Sequence, residues 1–277
     1  MTISEPSAVT ETASAARRGT PWYVPTFSPE HGVYVMLIVA FLTGAAAAQH
    51  WSWRTTLALV TAFSAFQAEH PLTLQIKQRR SWKPRCLMWG GVYSALALGL
   101  AFYLYLEVPR LLWIYLGAIA IFAIDSIAVV YRQRKAIWNE LLTFAGVCLV
   151  APLTEMATTE EVSFLSVGLW LLNTLFFGSA IFAVKLRKHK TAFWLPGLIY
   201  HSVAALLIGL LWWLGWLPPL AAAAFAIALL KFGLIVWQAN WYRNTAIKNV
   251  ALLETGSAFL FLSLILAALL PAHLPRP

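Results

Sequence analysis

Nine apolar stretches of about twenty residues, divided by short segments whose charges are mostly positive, constrain this chain more than any other feature. A bilayer core about 30 Å thick is crossed by roughly 20 helical residues, each rising about 1.5 Å. The stretches run approximately from Val33 to Gln49, Thr55 to Ile76, Cys86 to Leu106, Leu111 to Tyr131, Asn139 to Met156, Ser163 to Val184, Ala192 to Trp213, Leu220 to Gln238 and Val250 to Leu270. In hydrocarbon a backbone must satisfy its own polar groups, so each stretch is predicted to be a helix. The expected fold class is all-α, a polytopic membrane protein of about nine transmembrane helices. Composition agrees, because 60% hydrophobic and 11% charged residues leave too little polar surface for a soluble domain of 277 residues. The break at Gly215 to Pro219 is short and apolar. If the two stretches around it were one re-entrant unit, the last helix would reverse.

The net charge of +9 does not point to nucleic acid, because the basic residues sit in short runs between apolar spans. Membrane lipid is the expected anionic partner. Positively charged loops stay in the cytosol, and an N-terminus inside puts sixteen of the twenty Lys and Arg on that side. Only Arg54, Arg110 and Arg276 fall opposite, while Lys231 lies within a span. The domain reading is a disordered cytosolic tail over 1–28, a nine-helix transmembrane domain over 29–272 and a short non-cytosolic tail over 273–277. Tryptophans gather at both ends of the spans, where amphipathic rings settle: Trp82, Trp89, Trp138, Trp194 and Trp241 inside, Trp51, Trp53, Trp113, Trp170, Trp213 and Trp216 outside. Cys86 and Cys148 show no metal or redox spacing.

Charges within spans carry the functional signal, since each costs roughly 2.5–3.5 kcal/mol or more at the bilayer centre. Glu69, Asp125, Glu140 and Glu254 all fall within a few turns of a cytosolic basic residue, in one shallow layer from four separate helices. Gln67, His70 and Lys77 form a polar stripe on the second span, and Pro71 predicts a kink there. Lys231 lies near the midplane and requires a carboxylate or carbonyl partner. Glu30-His31 and Glu69-His70 offer carboxylate and imidazole side by side, but without ExxH or HxxxH spacing no metal site is expected. No Walker loop, GxGxxG or GxSxG motif occurs.

Pro29-Glu30-His31-Gly32 before the first span, Glu69-His70-Pro71-Leu72 leading to Lys77-Gln78-Arg79-Arg80, and Asn139-Glu140-Leu141-Leu142 resemble the YwiC-like family of bacterial membrane proteins. Val184-Lys185-Leu186-Arg187 and Leu253-Glu254 are similar too. The resemblance covers nearly the whole chain after residue 25 and implies the bacterial cytoplasmic membrane, but no particular activity. The layout also resembles the UbiA superfamily of intramembrane prenyltransferases, with a cytosol-facing cavity and functional loops after the second and sixth helices. Its two aspartate-rich magnesium motifs are not matched: Phe66-Gln67-Ala68-Glu69-His70-Pro71 has one acid, and Val184 to Thr191 has none, with only Lys190-Thr191 similar to that motif's end.

The functional expectation is a UbiA-like bundle whose cytosol-facing polar cavity binds a lipid or prenylated molecule with an anionic or polar head. Its ligand-binding candidates are Glu30, His31, Gln67, Glu69, His70, Asp125, Glu140, Lys231 and Glu254. Head-group candidates are Lys77, Arg79, Arg80, Lys185, Arg187, Lys188 and Lys190. An atypical prenyltransferase and a small-molecule transporter are the alternatives. No cofactor follows from the sequence.

Overall fold

A computed structural model describes residues 23–29, 31–77, 81–133, 135–187 and 193–270. The expected tails, apart from residues 23–28, lie outside the described residues. Helices occupy all nine expected stretches: α1 (His31–Ala48), α2 (Trp53–Lys77), α3 (Pro84–Glu107), α4 (Leu112–Val130), α5 (Ile137–Cys148), α6 (Val150–Thr159), α7 (Phe164–Leu186), α8 (Leu195–Trp213), α9 (Pro219–Ala223), α10 (Ala226–Trp237), α11 (Ala239–Asn244) and α12 (Ile247–Leu269). A short 3-10 turn, Pro109–Leu111, leads into α4. No strand occurs among the described residues. The all-α polytopic membrane fold read from the sequence is therefore correct, with the fifth and eighth stretches each divided in two.

Eight of these segments are long and apolar enough to cross a membrane. The ninth, α2, has the length at 25 residues, but Gln67, Glu69, His70 and Gln75 lower its hydropathy. Hydrogen bonds show which ends lie together. Arg54 at the start of α2 reaches Glu160 after α6 at 2.7 Å, and Gln49 after α1 donates to the carbonyl of Leu269 in α12. At the other, basic end Arg85 of α3 donates to Val24 and Pro25 carbonyls. There too Arg187 after α7 and Arg243 of α11 bond across to the Thr245 and Leu186 carbonyls.

The doubtful reversal between α8 and α9 is a real one. Gly215 at φ 76° ends α8 in the left-handed region, and Trp216 N–H returns to the Leu211 carbonyl, a glycine helix stop. Gly197 at the start of α8 lies against the Phe232 ring near the end of α10, so the two helices run antiparallel. The break between α5 and α6 at Leu149 has its cause in Pro152, which has no N–H for the Cys148 carbonyl one turn back. At Pro71, by contrast, α2 continues as a helix on both sides.

α1 is the central helix. One apolar core joins its Met36, Val39 and Ala46 to α7, α8 and α12 through Leu172, Phe176, Ile208 and Phe261. Another joins its Leu37, Ala40 and Phe41 to α2 and α6 through Ala58, Ala62, Ala151 and Met156. α3 lies along α2, and α4 lies along α5, with little contact between α3 and α4 beyond the 3-10 turn. Most of the expected aromatic belt is exposed, including Trp51, Trp53, Trp82, Trp113, Trp138, Trp194, Trp213 and Trp241. Trp170 departs from it: its indole is turned inward and donates to the Ala145 carbonyl at 2.8 Å.

A small core at the basic end surrounds Tyr242 with Ala183, Leu186, Phe232, Ile235 and Val250. The Tyr242 hydroxyl is buried with no hydrogen-bond partner among the described residues. Burial pushes the phenol up to about 12, the Glu254 charge adds to the rise, and Arg187 opposes it. A phenol whose pKa is raised on folding stabilises the fold fully below its unfolded value near pH 10, and that contribution is lost as pH climbs toward about 12. Tyr242→Phe removes an unpartnered buried hydroxyl and is expected to raise stability by about 1 kcal/mol. In thermal melts between pH 10 and 12 it should lose less melting temperature than the parent. Equal alkaline losses in the two proteins would count against this account.

Candidate functional site

One large cavity opens beside α1, with an approximate volume of 1890 Å³. Its apolar wall is built by Leu37 of α1, Phe66 of α2, Phe102 of α3, Ile119 and Phe122 of α4, and Ile181 of α7. Its polar groups are Glu69, Asp125, Glu140 and Glu254, together with Lys77, Arg132, Lys135 and Lys185. Four carboxylates from helices remote in sequence thus share a wall with four cations.

Each is held differently. Glu69 accepts a hydrogen bond from Thr73, one turn along α2, at 2.9 Å. Asp125, only 6% exposed, accepts from Asn139 Nδ2 at 2.7 Å, and the Thr143 hydroxyl, which donates to the Asn139 carbonyl at 2.9 Å, lies 3.4 Å from the same carboxylate oxygen. Asp125 forms no ion pair with Arg132, one helical face away on α4, among the described residues; its donor comes from α5 instead. Glu140, in the first turn of α5 where the helix dipole favours a negative charge, lies 3.5 Å from Lys185 of α7. Both are partly exposed, so this pair is worth less than about 1 kcal/mol. Glu254 lies 2.7 Å from Lys231, the partner the buried ammonium requires; Lys231 also sits over the Phe176 ring. The second Glu254 oxygen, Oε1, is buried without a hydrogen-bond partner among the described residues.

Other candidates serve the scaffold or lie elsewhere. Gln67 is fully buried and clamps the chain before α1, accepting from Ser28 N–H at 3.3 Å and donating to the Tyr34 hydroxyl at 2.8 Å. His70 is half-buried and His31 is exposed at the first residue of α1; neither is on the cavity wall. Lys231 stands behind Glu254 and not on the wall. Arg187 is turned to the Thr245 carbonyl. Glu30, Arg79, Arg80, Lys188 and Lys190 lie outside the described residues.

Sequence reading missed Asn139, Thr143, Arg132 and Lys135 as cavity residues. Asn139 and Thr143 are one turn apart on a helix and so share a face, a signal that was available. Arg132 adopts φ 61° at the end of α4, where Gln133 N–H returns to the Ala128 carbonyl. That left-handed stop, rare for a residue with a side chain, places arginine at the cavity mouth. The single acidic layer also needs correction: Glu155 of α6 is a fifth carboxylate, 4% exposed toward the opposite end, accepting from Ser163 Oγ at 2.7 Å. Among the described residues no three His, Cys, Asp or Glu side chains come together in a way that could hold a metal ion.

Helices spanning in alternation, a central helix and charges turned inward define a multi-pass membrane protein with an internal amphipathic cavity. Residues 27–155 match the family model described as YwiC-like protein, so the family resemblance read in the sequence holds. The chain is also 25% identical over 245 residues to the protein printed as "Uncharacterized protein YwiC" of Bacillus subtilis (strain 168), covering 84% of this chain and 94% of that one. No solved structure matches the chain.

Proposed function

We propose that this YwiC-like protein holds a lipid or prenylated molecule in its cavity, with an anionic or polar head at the basic end and its tail between the helices. The observation that carries this reading is the cavity wall. Its volume of about 1890 Å³ exceeds the roughly 300–1,000 Å³ of sites for drug-sized ligands, its walls are apolar, and Lys77, Arg132, Lys135 and Lys185 gather with the carboxylates. A long-chain amphiphile matches that division. Its tail leaves between α3 and α4, where the two helices separate. The layout is the one likened above to the UbiA superfamily, used here for binding.

Native mass spectrometry of the gently purified protein is expected to show a co-purifying amphiphile near one per chain. Ala118→Trp, which adds a bulky ring at an exposed position of the cavity wall, is expected to remove most of it. Equal occupancy in parent and variant, or none in either, would overturn the reading.

The same reading puts the N-terminus and the basic end in the cytosol of a bacterial cell, across its cytoplasmic membrane. Single cysteines at exposed Ser81 and Gln133 are then expected to be shielded from an impermeant thiol reagent in intact cells, while one at exposed Glu161 reacts. The native Cys86 and Cys148 are buried and give little background. The opposite labelling pattern would reverse the orientation.

A further inference from the structure

Asp125 differs from Glu140 and Glu254 on the same wall in how its charge is met. Glu140 has Lys185 and Glu254 has Lys231. Asp125 has the neutral Asn139 amide donating to Oδ1, with the neutral Thr143 hydroxyl 3.4 Å from the same oxygen and closer, at 2.9 Å, to the Asn139 carbonyl. No cation lies within 4 Å of it among the described residues, and Oδ2 receives no hydrogen bond from them. Yet the residue is 6% exposed and on the cavity wall. A buried carboxylate in an apolar surrounding is costly unless hydrogen-bonded or paired. Here the scaffold donates to one oxygen and leaves the other without a donor among the described residues, on a side chain that lines the cavity.

Depth orders the rest. Arg132 is seven residues further along the chain, about 10 Å nearer the basic end at 1.5 Å per helical residue, and Lys135 follows it on the wall. Beyond Asp125 in the other direction the α4 wall is apolar, through Phe122, Ile121, Ile119 and Ala118. Along α4 a ligand entering with its tail inward therefore meets hydrocarbon, then the Asp125 carboxylate, then cations. We propose that Asp125 Oδ2 accepts a hydrogen bond from a hydroxyl or ammonium group placed between the ligand's tail and its anionic head. This rests on the amphiphile-binding reading above and deepens it, naming a class: long-chain phosphates or similar anions with a donor at the head-to-tail junction.

The test uses three probes on the delipidated full-length protein, followed by competitive native mass spectrometry. Hexadecyl phosphate has tail and anion with no junction donor; palmitoyl lysophosphatidic acid adds a hydroxyl there; sphinganine phosphate adds an ammonium as well. A hydrogen bond to a charged acceptor is worth about 1.5–3 kcal/mol, so at least one donor-bearing probe is expected to bind about tenfold or more tighter than hexadecyl phosphate. Preference for the lysophosphatidic acid assigns the hydroxyl; preference for sphinganine phosphate alone assigns the ammonium.

In Asp125→Asn the Oδ1 acceptor for Asn139 is kept while the second position becomes a donor. The preference is expected to vanish, while a circular-dichroism melt of the variant in detergent that matches the parent's shows that it is folded. Equal binding of all three probes by the parent protein, or a preference that survives Asp125→Asn, overturns this assignment alone. Failure of all three probes to bind overturns the amphiphile reading itself.

Discussion

Lys231→Met is expected to destabilise the protein by about 3–5 kcal/mol, because it strands a carboxylate that the fold has already taken out of water. Lys231 is 3% and Glu254 25% exposed at their side chains, with 2.7 Å between them. Glu254 Oε1 has no other hydrogen-bond partner among the described residues, so after the substitution the carboxylate keeps no cation. Glu254→Leu alone is expected to be comparably damaging, since the ammonium lies against the Phe176 ring with no second carboxylate within 4 Å among the described residues. The double variant Lys231→Met, Glu254→Leu removes both charges and should recover most of the loss, as hydrophobic replacements of buried pairs commonly do.

In detergent melts followed by circular dichroism the single variants should fall by on the order of 10 °C and the double by only a few degrees. A double variant as damaged as either single would refute the coupling. Single losses below about 1 kcal/mol would show that water reaches the pair and that it behaves as a surface contact.

The parts legible in the sequence are those fixed by the solvent. A bilayer forces a minimum length on every apolar helix, so the nine stretches were found to within a few residues, and loop charge indicated which ends lie together. That a polar residue inside a span avoids lipid was equally legible. What it faces was not, because partners are set by packing between distant helices. Gln67 and Asp125 look alike as polar residues within a span, yet Gln67 clamps Ser28 and Tyr34, while Asp125 lines the cavity. Arg187 looks like a head-group residue and is spent on the Thr245 carbonyl. Glu155 escaped notice because no basic run lies beside it, and its partner, Ser163, is a residue whose usual role is the helix cap it also fills for α7. The breaks at Leu149 and Ala224 do not interrupt hydropathy, so a window of apolar residues passes over them.

Gly44→Ala is expected to cost about 2–3 kcal/mol, and Gly44→Leu to prevent recovery of folded protein. Here α1 and α6 come closest: a Cβ on Gly44 would run into the Ala151 carbonyl oxygen, its carbon and its Cα, all of them backbone. A side chain could swing aside; a helix backbone can yield only by moving the whole of α6. Rotation of α1 is blocked as well, because the adjacent Thr43 hydroxyl accepts a hydrogen bond from buried Asn173 of α7 at 2.9 Å while donating to the Ala40 carbonyl. Small residues at such crossings let membrane helices gain close packing where lipid offers no hydrophobic drive for association. Displacing α6 would also move Val150 and Leu153, which line the cavity, so Gly44→Ala should lower amphiphile occupancy along with the melting temperature. Gly91 of α3 supplies the control: nothing lies within 4 Å of its added Cβ. Gly91→Ala should therefore be neutral or stabilising by up to about 1 kcal/mol, as for alanine over glycine in a helix. Matched melting curves for Gly44→Ala and Gly91→Ala would show that α1 and α6 are not locked backbone to backbone.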